Sequence, residues 1–352
     1  MSLRLLVARK AAYSNNIYIE RTLPSSGDIV AKIGVSVEPF TKLGMTKISY
    51  GVMPVPNGLQ FKKDKNIGSY FYNGEVIGTS SSGNLIAPFD GYLVSEKDKL
   101  VFRQDQRDYW LLSGVWGEVA GIVDKKSILL KTQTLDLHLA ACTDNSFAGE
   151  LIVFPNPSPI LEMQYLEKFT KNVFGKIIYT GNYASINLLK KAISMGVGGV
   201  LAGGADKYGF DLAKKSNLFL GVFSGHGNIP TPPFIFNALK DISNRFIFVQ
   251  GERELIRVPV PQKFDVNLVR KNKPRTFLKV PKKGMIVQVF EKPYFGWVGT
   301  IEDVQKEKIY VKLDDAEKVI EVTFPNLISL DFESDLEEFL HLQSKEKSYD
   351  SL

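Results

Sequence analysis

Lys283-Gly284-Met285-Ile286-Val287-Gln288-Val289-Phe290, followed by Pro293-Tyr294-Phe295-Gly296-Trp297-Val298-Gly299-Thr300-Ile301, is the most informative segment of this chain. Ile286, Val287, Val289 and Phe290 form a β-rich run after a glycine, and Trp297 to Ile301 form a second run after a proline-containing loop. Ile309-Tyr310-Val311-Lys312-Leu313 and Val319-Ile320-Glu321-Val322-Thr323-Phe324 then alternate apolar with polar residues, and Pro325-Asn326-Leu327 closes the unit. Period-two alternation interrupted by Gly, Pro and Asp predicts a small antiparallel barrel. Gly296 and Gly299 stand where a barrel corner needs a tight bend or an unusual φ.

Over about Pro281 to Leu330 the glycines and apolar spacing resemble the KOW motif of SH3-like barrels, found in NusG-type elongation factors and several ribosomal proteins. The resemblance implies a binding module without catalytic residues. The chain departs from the motif before the central glycine, where Tyr294-Phe295 replace the usual basic residues. Tyr294, Phe295 and Trp297 are therefore candidates for stacking on bases or anchoring a protein partner. The alternative for Trp297 is a place in the barrel core.

A basic segment leads into this barrel. Arg253 to Lys283 carries Arg257, Lys263, Arg270, Lys271, Lys273, Arg275, Lys279, Lys282 and Lys283 with few acidic residues between them. Arg270, Lys271, Lys273, Arg275, Lys282 and Lys283 are the candidate phosphate contacts; a solvated interdomain linker is the plainer alternative. The whole chain, with net charge +6 over 352 residues, is only mildly basic. It is 44% hydrophobic and 23% charged, an ordinary globular composition for two or three cores.

Cys142 is the single cysteine and excludes an internal disulfide. His138, His226 and His341 are too scattered for a zinc centre, so no metal and no cofactor is expected. No apolar run is long enough to span a membrane. The first residues lack the apolar core of a signal peptide, and the expected location is the cytoplasm.

Residues 1–149 are rich in Gly, Val, Ile and turn dipeptides. Gly74-Glu75-Val76-Ile77-Gly78 and Leu85-Ile86-Ala87-Pro88-Phe89-Asp90-Gly91-Tyr92-Leu93-Val94 resemble strand-turn elements of biotinyl/lipoyl-like barrel-sandwich (barrel-sandwich hybrid) domains. Carrier members bear a modified lysine on a hairpin tip. Here Met45-Thr46-Lys47-Ile48 is not the biotin motif, and Asp98-Lys99-Leu100 lies after the Ala-Pro element instead of before it, so Lys99 reads as a turn lysine. Trp110 and Trp116 read as core.

From Glu150 the periodicity changes. Strand-like runs at Leu151–Phe154, Gly175–Gly181, Gly199–Gly204, Phe219–Phe223 and Arg245–Val249 alternate with helical patterns at Ile160–Val173, Ala184–Met195, Phe210–Ser216 and Phe234–Ile242. This predicts a Rossmann-like three-layer domain over 150–258, with a parallel sheet and right-handed crossovers. Its strand-end loops hold Gly181, Ser185, Gly203, Gly204, Asp206 and His226, a possible ligand loop set. Ser185 or Asn182 can equally cap a helix, as can Asp206. His226 between glycines could serve as a base or ligand contact, although no partner is set by spacing.

The expected layout is a multi-domain α+β protein. It comprises a β-rich barrel-sandwich-like domain (1–149), the α/β domain (150–258), a basic linker (259–280), a KOW-like barrel (281–330), and an acidic helix with tail (331–352). This combination resembles a bacterial family in which a biotinyl/lipoyl-like region precedes a C-terminal KOW domain, and the resemblance implies no activity. The expected function is a non-enzymatic binding or scaffold protein contacting RNA, the ribosome or RNA polymerase. The alternative is a ligand sensor or enzyme using the glycine loops and His226.

Overall fold

The computed structural model describes residues 4–48, 51–61, 64–80, 83–96, 99–153, 173–261, 277–306, 308–314, 316 and 318–332. The protein is mostly β, with mixed sheets and three helices among the described residues, 12% helix and 54% strand. Two compact units are present. One comprises residues 1–17, 114–116 and 132–352, and the other comprises residues 18–113 and 117–131.

The smaller unit is built from short sheets. Gly91–Glu96 pairs antiparallel with Lys99–Gln104 and with Tyr70–Phe71, and Lys99–Gln104 pairs with Val52–Pro54. Arg107–Leu112, Lys42–Ile48 and Asp28–Ile29 form a second sheet, and Gln60–Phe61, Val76–Ser80 and Gly83–Ile86 a third. Strand alternation sends Phe71, Leu93 and Phe102 inward, where with Val55, Leu59, Ile77 and Ala87 they make the core. Ala87 also exchanges main-chain hydrogen bonds with Gly74 and Glu75, tying the two motif phrases together. Lys47 lies within a strand, opposite Asp108, and Lys99 opens the return strand of a hairpin opposite Glu96. Trp110, expected in the core, is 38% exposed, with Lys42 Nζ 4.3 Å from its ring centroid.

In the larger unit the parallel sheet is present, in mixed form. Ile177–Tyr179 pairs parallel with Leu151–Val153 and with Gly199–Leu201, and Gly199–Ala205 pairs parallel with Phe219–His226. Phe246–Gln250, expected to close a parallel sheet, instead runs antiparallel to Ser146–Glu150. Helices Ile186–Ser194, Lys207–Lys215 and Pro233–Asp241 follow the periodic segments closely. Successive strand residues point to opposite faces, and both faces are buried. Ile178, Val200, Ala202, Leu220 and Val222 pack with Leu188, Leu189, Ala192 and Ala213 of the first two helices. Ile177, Leu201, Phe219 and Phe223 pack with Ile235, Ala238 and Leu239 of the third.

The C-terminal barrel consists of Ile286–Val289, Val298–Gln305, Lys308–Leu313, Val319–Thr323 and Leu327–Phe332, joined antiparallel in a meander, the last strand returning to the first. A 3-10 turn at Phe324–Asn326 bridges the last two strands. Val287, Val289, Ile301, Ile309, Val311, Leu313 and Val322 fill it.

Several strand pairings join segments distant in the sequence. Leu5–Thr22 is one strand whose start belongs to the larger unit: Leu5 is 1% exposed inside the barrel core. Val7–Ala11 pairs parallel with Ser329–Phe332, and Leu5–Leu6 pairs antiparallel with Leu278–Lys279, inside the expected linker. Ser127–His138 likewise carries its second half into the larger unit by pairing with Leu255–Pro259. These pairings are non-local, so no local pattern signals them. The expected helix Ile160–Val173 falls on residues outside those described, apart from Val173, and the acidic helix Ser334–Leu342 lies wholly outside them. No helix among the described residues is long and apolar enough to cross a membrane.

Candidate functional site

The barrel loop between Phe290 and Val298 is held by its own main chain. Gly296 N–H donates to Val289 O (2.7 Å), Val289 N–H to Trp297 O (2.9 Å), and Trp297 N–H to Tyr294 O (3.0 Å). Gly296 has φ +88°, a conformation that favours glycine, and a Cβ there would meet Ile229 Cδ1 at 2.8 Å. The loop therefore abuts the α/β layer. Gln288, 5% exposed, donates from Nε2 to Gly296 O (2.8 Å) and Ser224 O (3.3 Å) across the same junction.

The three loop aromatics divide. Tyr294 and Trp297 are half-buried against the barrel core, their centroids 5.9 Å apart and edge-on. Phe295 is 50% exposed and rests edge-on against Phe290 at 5.4 Å. Lys318 Nζ donates to the Tyr294 hydroxyl (2.7 Å) and stands 5.3 Å from its ring centroid. Lys282 and Lys283 are exposed. The barrel surface also carries acids: Lys308 pairs with Glu321 (2.7 Å) and Lys279 with Asp331 (2.8 Å). The Asp303 carboxyl is held below its usual range by hydrogen bonds from Gln305 and the Val304 N–H, then by Lys283. Arg270, Lys271, Lys273 and Arg275 lie outside the described residues.

The glycine loops of the α/β layer do converge, because they end adjacent parallel strands. Ala205 pairs with His226, Gly204 with Gly225, and Tyr183 with Gly204. What meets there is main chain. Gly203 N–H donates to Gly181 O (2.9 Å), Gly204 N–H to Asn182 O (2.8 Å) and Gly227 N–H to Ala205 O (2.9 Å). A Cβ on Gly203 would stand 2.1 Å from Ile229 O, and one on Gly204 2.1 Å from Gly227 O. The glycines thus permit backbone-on-backbone packing, and these three N–H groups are already committed to carbonyls of the fold. An anion cradle needs such donors turned outward.

The polar members of the set are local structural groups. Ser185 Oγ accepts from Leu188 N–H (3.3 Å) and Asp206 Oδ1 from Gly209 N–H (2.7 Å), each capping a helix. Asp206 Oδ2 also accepts from the Tyr183 hydroxyl (2.9 Å); partial burial first, then this carboxylate, raises the Tyr183 phenol. His226 is exposed, its ring edge-on to Phe210 at 5.3 Å. Among the described residues no three His, Cys, Asp or Glu side chains gather as a metal site.

A polar seam escaped the sequence reading. Asp136, 4% exposed, accepts from Ser14 Oγ (2.8 Å) and Thr134 Oγ1 (2.7 Å) and pairs with the equally buried Arg257, Nε to Oδ1 at 3.4 Å. Lys10, 8% exposed, donates to Phe223 O at 3.4 Å; burial pushes its ammonium pKa down. Burial likewise lowers the His138 imidazole. The signal was the alternation Thr132, Thr134, Asp136, His138 against Leu135, Leu137, Leu139, which ordinarily marks one solvated strand face.

No protein-family model and no curated protein matches this chain. Among solved structures it is similar to a UPF0107 protein determined by solution NMR, at 12% identity over 34% of this chain and 96% of that one, with a TM-score of 0.25. It is also similar to a chain of the MjSpt4:Spt5 complex, at 17% identity over 21% of this chain and 52% of that one, with a TM-score of 0.14.

Proposed function

We propose that this protein is a non-enzymatic binding protein that uses the aromatic loop of its C-terminal SH3-like barrel to contact RNA, free or within the ribosome or a transcribing polymerase complex. The single observation that carries this reading is Phe295, half exposed at the tip of a loop whose main chain is fixed by hydrogen bonds, with Tyr294 and Trp297 braced behind it. A pre-ordered aromatic with one free face suits base stacking, which tolerates sequence. Lys282 and Lys283, both exposed, would supply phosphate contacts. The kinship with KOW-bearing bacterial proteins belongs to the same reading, as does the role of the basic linker 259–280. The sensor or enzyme alternative loses its main support, since the glycine loops spend three of their N–H groups on one another and on neighbouring strands.

The test uses the full chain, because Leu5 completes the barrel core. Binding of single-stranded oligouridine is measured against salt. Phe295→Ala is expected to weaken it by about tenfold, in line with the ~1–3 kcal/mol of one stacked base. Lys282→Gln with Lys283→Gln should flatten the salt slope by about 1.4, the share of two phosphate contacts on a single strand. RNA binding indifferent to Phe295, or none at low salt, would overturn the reading and leave the loop as a protein-docking element.

A further inference from the structure

The smaller unit presents an aromatic face that plays no part in the reading above. Tyr92 stands opposite Tyr70 in the antiparallel ladder, and Gly91 opposite Phe71. Strand alternation then turns Phe71 inward, where it is 0% exposed, and Tyr70, Tyr72 and Tyr92 outward. Tyr72 is 66% exposed and Tyr92 42%. Their rings stand edge-on to Tyr70, at centroid distances of 5.2 Å and 4.8 Å and interplanar angles of 81° and 71°. Tyr72 and Tyr92 thus keep ring surface exposed to solvent.

Two aspartates border this cluster. Asp105 N–H donates to Asp90 O (2.8 Å), which holds the pair together. Asp105 Oδ2 accepts from the Tyr70 hydroxyl at 3.5 Å, and Asp90 Oδ1 accepts from Asn73 N–H at 2.7 Å. Partial burial, then the charges of Asp90 and Asp105, raise the Tyr70 phenol, as expected where carboxylates face it. Among the described residues, Lys65 and Arg103 are cations that adjoin the tyrosines. Lys65 is engaged, donating to Tyr70 O (2.6 Å) and pairing with Glu75 (3.3 Å), with its ammonium 4.6 Å from the Phe71 ring centroid. Arg103 lies beside Tyr92 in the ladder.

We propose that the Tyr70–Tyr72–Tyr92 face, bordered by Asp90 and Asp105, docks a lysine or arginine side chain presented by a basic peptide segment of a protein partner. The chemistry of the face selects this occupant. Open tyrosine π-faces attract cations. The flanking carboxylates add long-range attraction for positive charge and repel a phosphate backbone. Tyr72 and Tyr92 are exposed, at 66% and 42%, which suits a side chain held by its own polypeptide better than a free small molecule, which needs to be surrounded.

The full-length protein is titrated with a peptide of alternating lysine and serine, with a glutamine-for-lysine peptide and with oligouridine, by calorimetry. The expected result is saturable binding of the lysine peptide, at least ~5-fold weaker for Tyr72→Ala and for Tyr92→Ala. Asp105→Asn should weaken it and reduce its salt dependence. Phe40→Ala, an 84%-exposed residue elsewhere in the same unit, should leave it unchanged. Tyr72 is exposed enough that its truncation spares the fold, which a thermal melt checks. Equal binding of the glutamine peptide, or lysine-peptide binding that survives Tyr72→Ala and Tyr92→Ala together, would overturn the proposal. Oligouridine binding that is lost in those variants would overturn it too, assigning the face to nucleic acid.

Discussion

Cys142, the one cysteine, shows how residue chemistry depends on its packing. Its Sγ donates to Gly251 O at 3.4 Å. Burial, followed by the charges of Glu254 and Asp144, pushes its thiol up to about 11 from 9.0. Two units correspond to about a hundredfold smaller thiolate fraction near neutrality. Alkylation by iodoacetamide at pH 8 is therefore expected to be about a hundredfold slower than for an unhindered thiol of ordinary pKa; a rate within threefold of that standard would refute it. The sign for stability follows. Below pH 9.0 folded and unfolded thiols both keep the proton; between there and about 11 unfolding releases it, so this group's contribution falls as pH rises. At this scale the glycines were legible only as glycines. Gly203 and Gly204 read equally well as anion-binding or close-packing residues, and the carbonyls 2.1 Å from their would-be Cβ atoms decide for packing.

Among the elements, the strands Leu5–Thr22, Ser127–His138 and Leu255–Pro259 carry the seam of Ser14, Thr134, Asp136 and Arg257. A buried ion pair contributes little net stability, yet leaving one partner alone is costly. Asp136→Leu is expected to lose about 3–5 kcal/mol by denaturant unfolding, and adding Arg257→Met should restore most of that. A double variant as unstable as the single one would place the cost in packing rather than in the stranded guanidinium. Helices were the most legible elements: Ser185 and Asp206 cap two of them, and Pro233 opens the third, as local chemistry requires. The seam was not legible, because alternating polar positions look solvated until the tertiary fold buries them.

For the whole molecule, the decisive feature is that the strand Leu5–Thr22 contributes Leu5 to the core of the C-terminal barrel. Leu5→Ala removes a side chain from the barrel core and is expected to cost about 2–5 kcal/mol. Deleting residues 1–11 should raise amide hydrogen exchange throughout 286–330; unchanged protection there would show that the barrel folds without the strand. The kinds of element follow from local chain chemistry. Period-two runs with glycine and proline turns specify the barrel strands, and 3.6-residue periodicity with caps specifies the described helices, because each is set by neighbours along the chain. Tertiary structure alone decided the pairing of Val7–Ala11 with Ser329–Phe332, the antiparallel closure by Phe246–Gln250, the burial of Asp136 and Arg257, and the main-chain packing that fills the glycine loops. Each of these joins residues distant in sequence, and the free energy that selects them arises only when both surfaces leave water together.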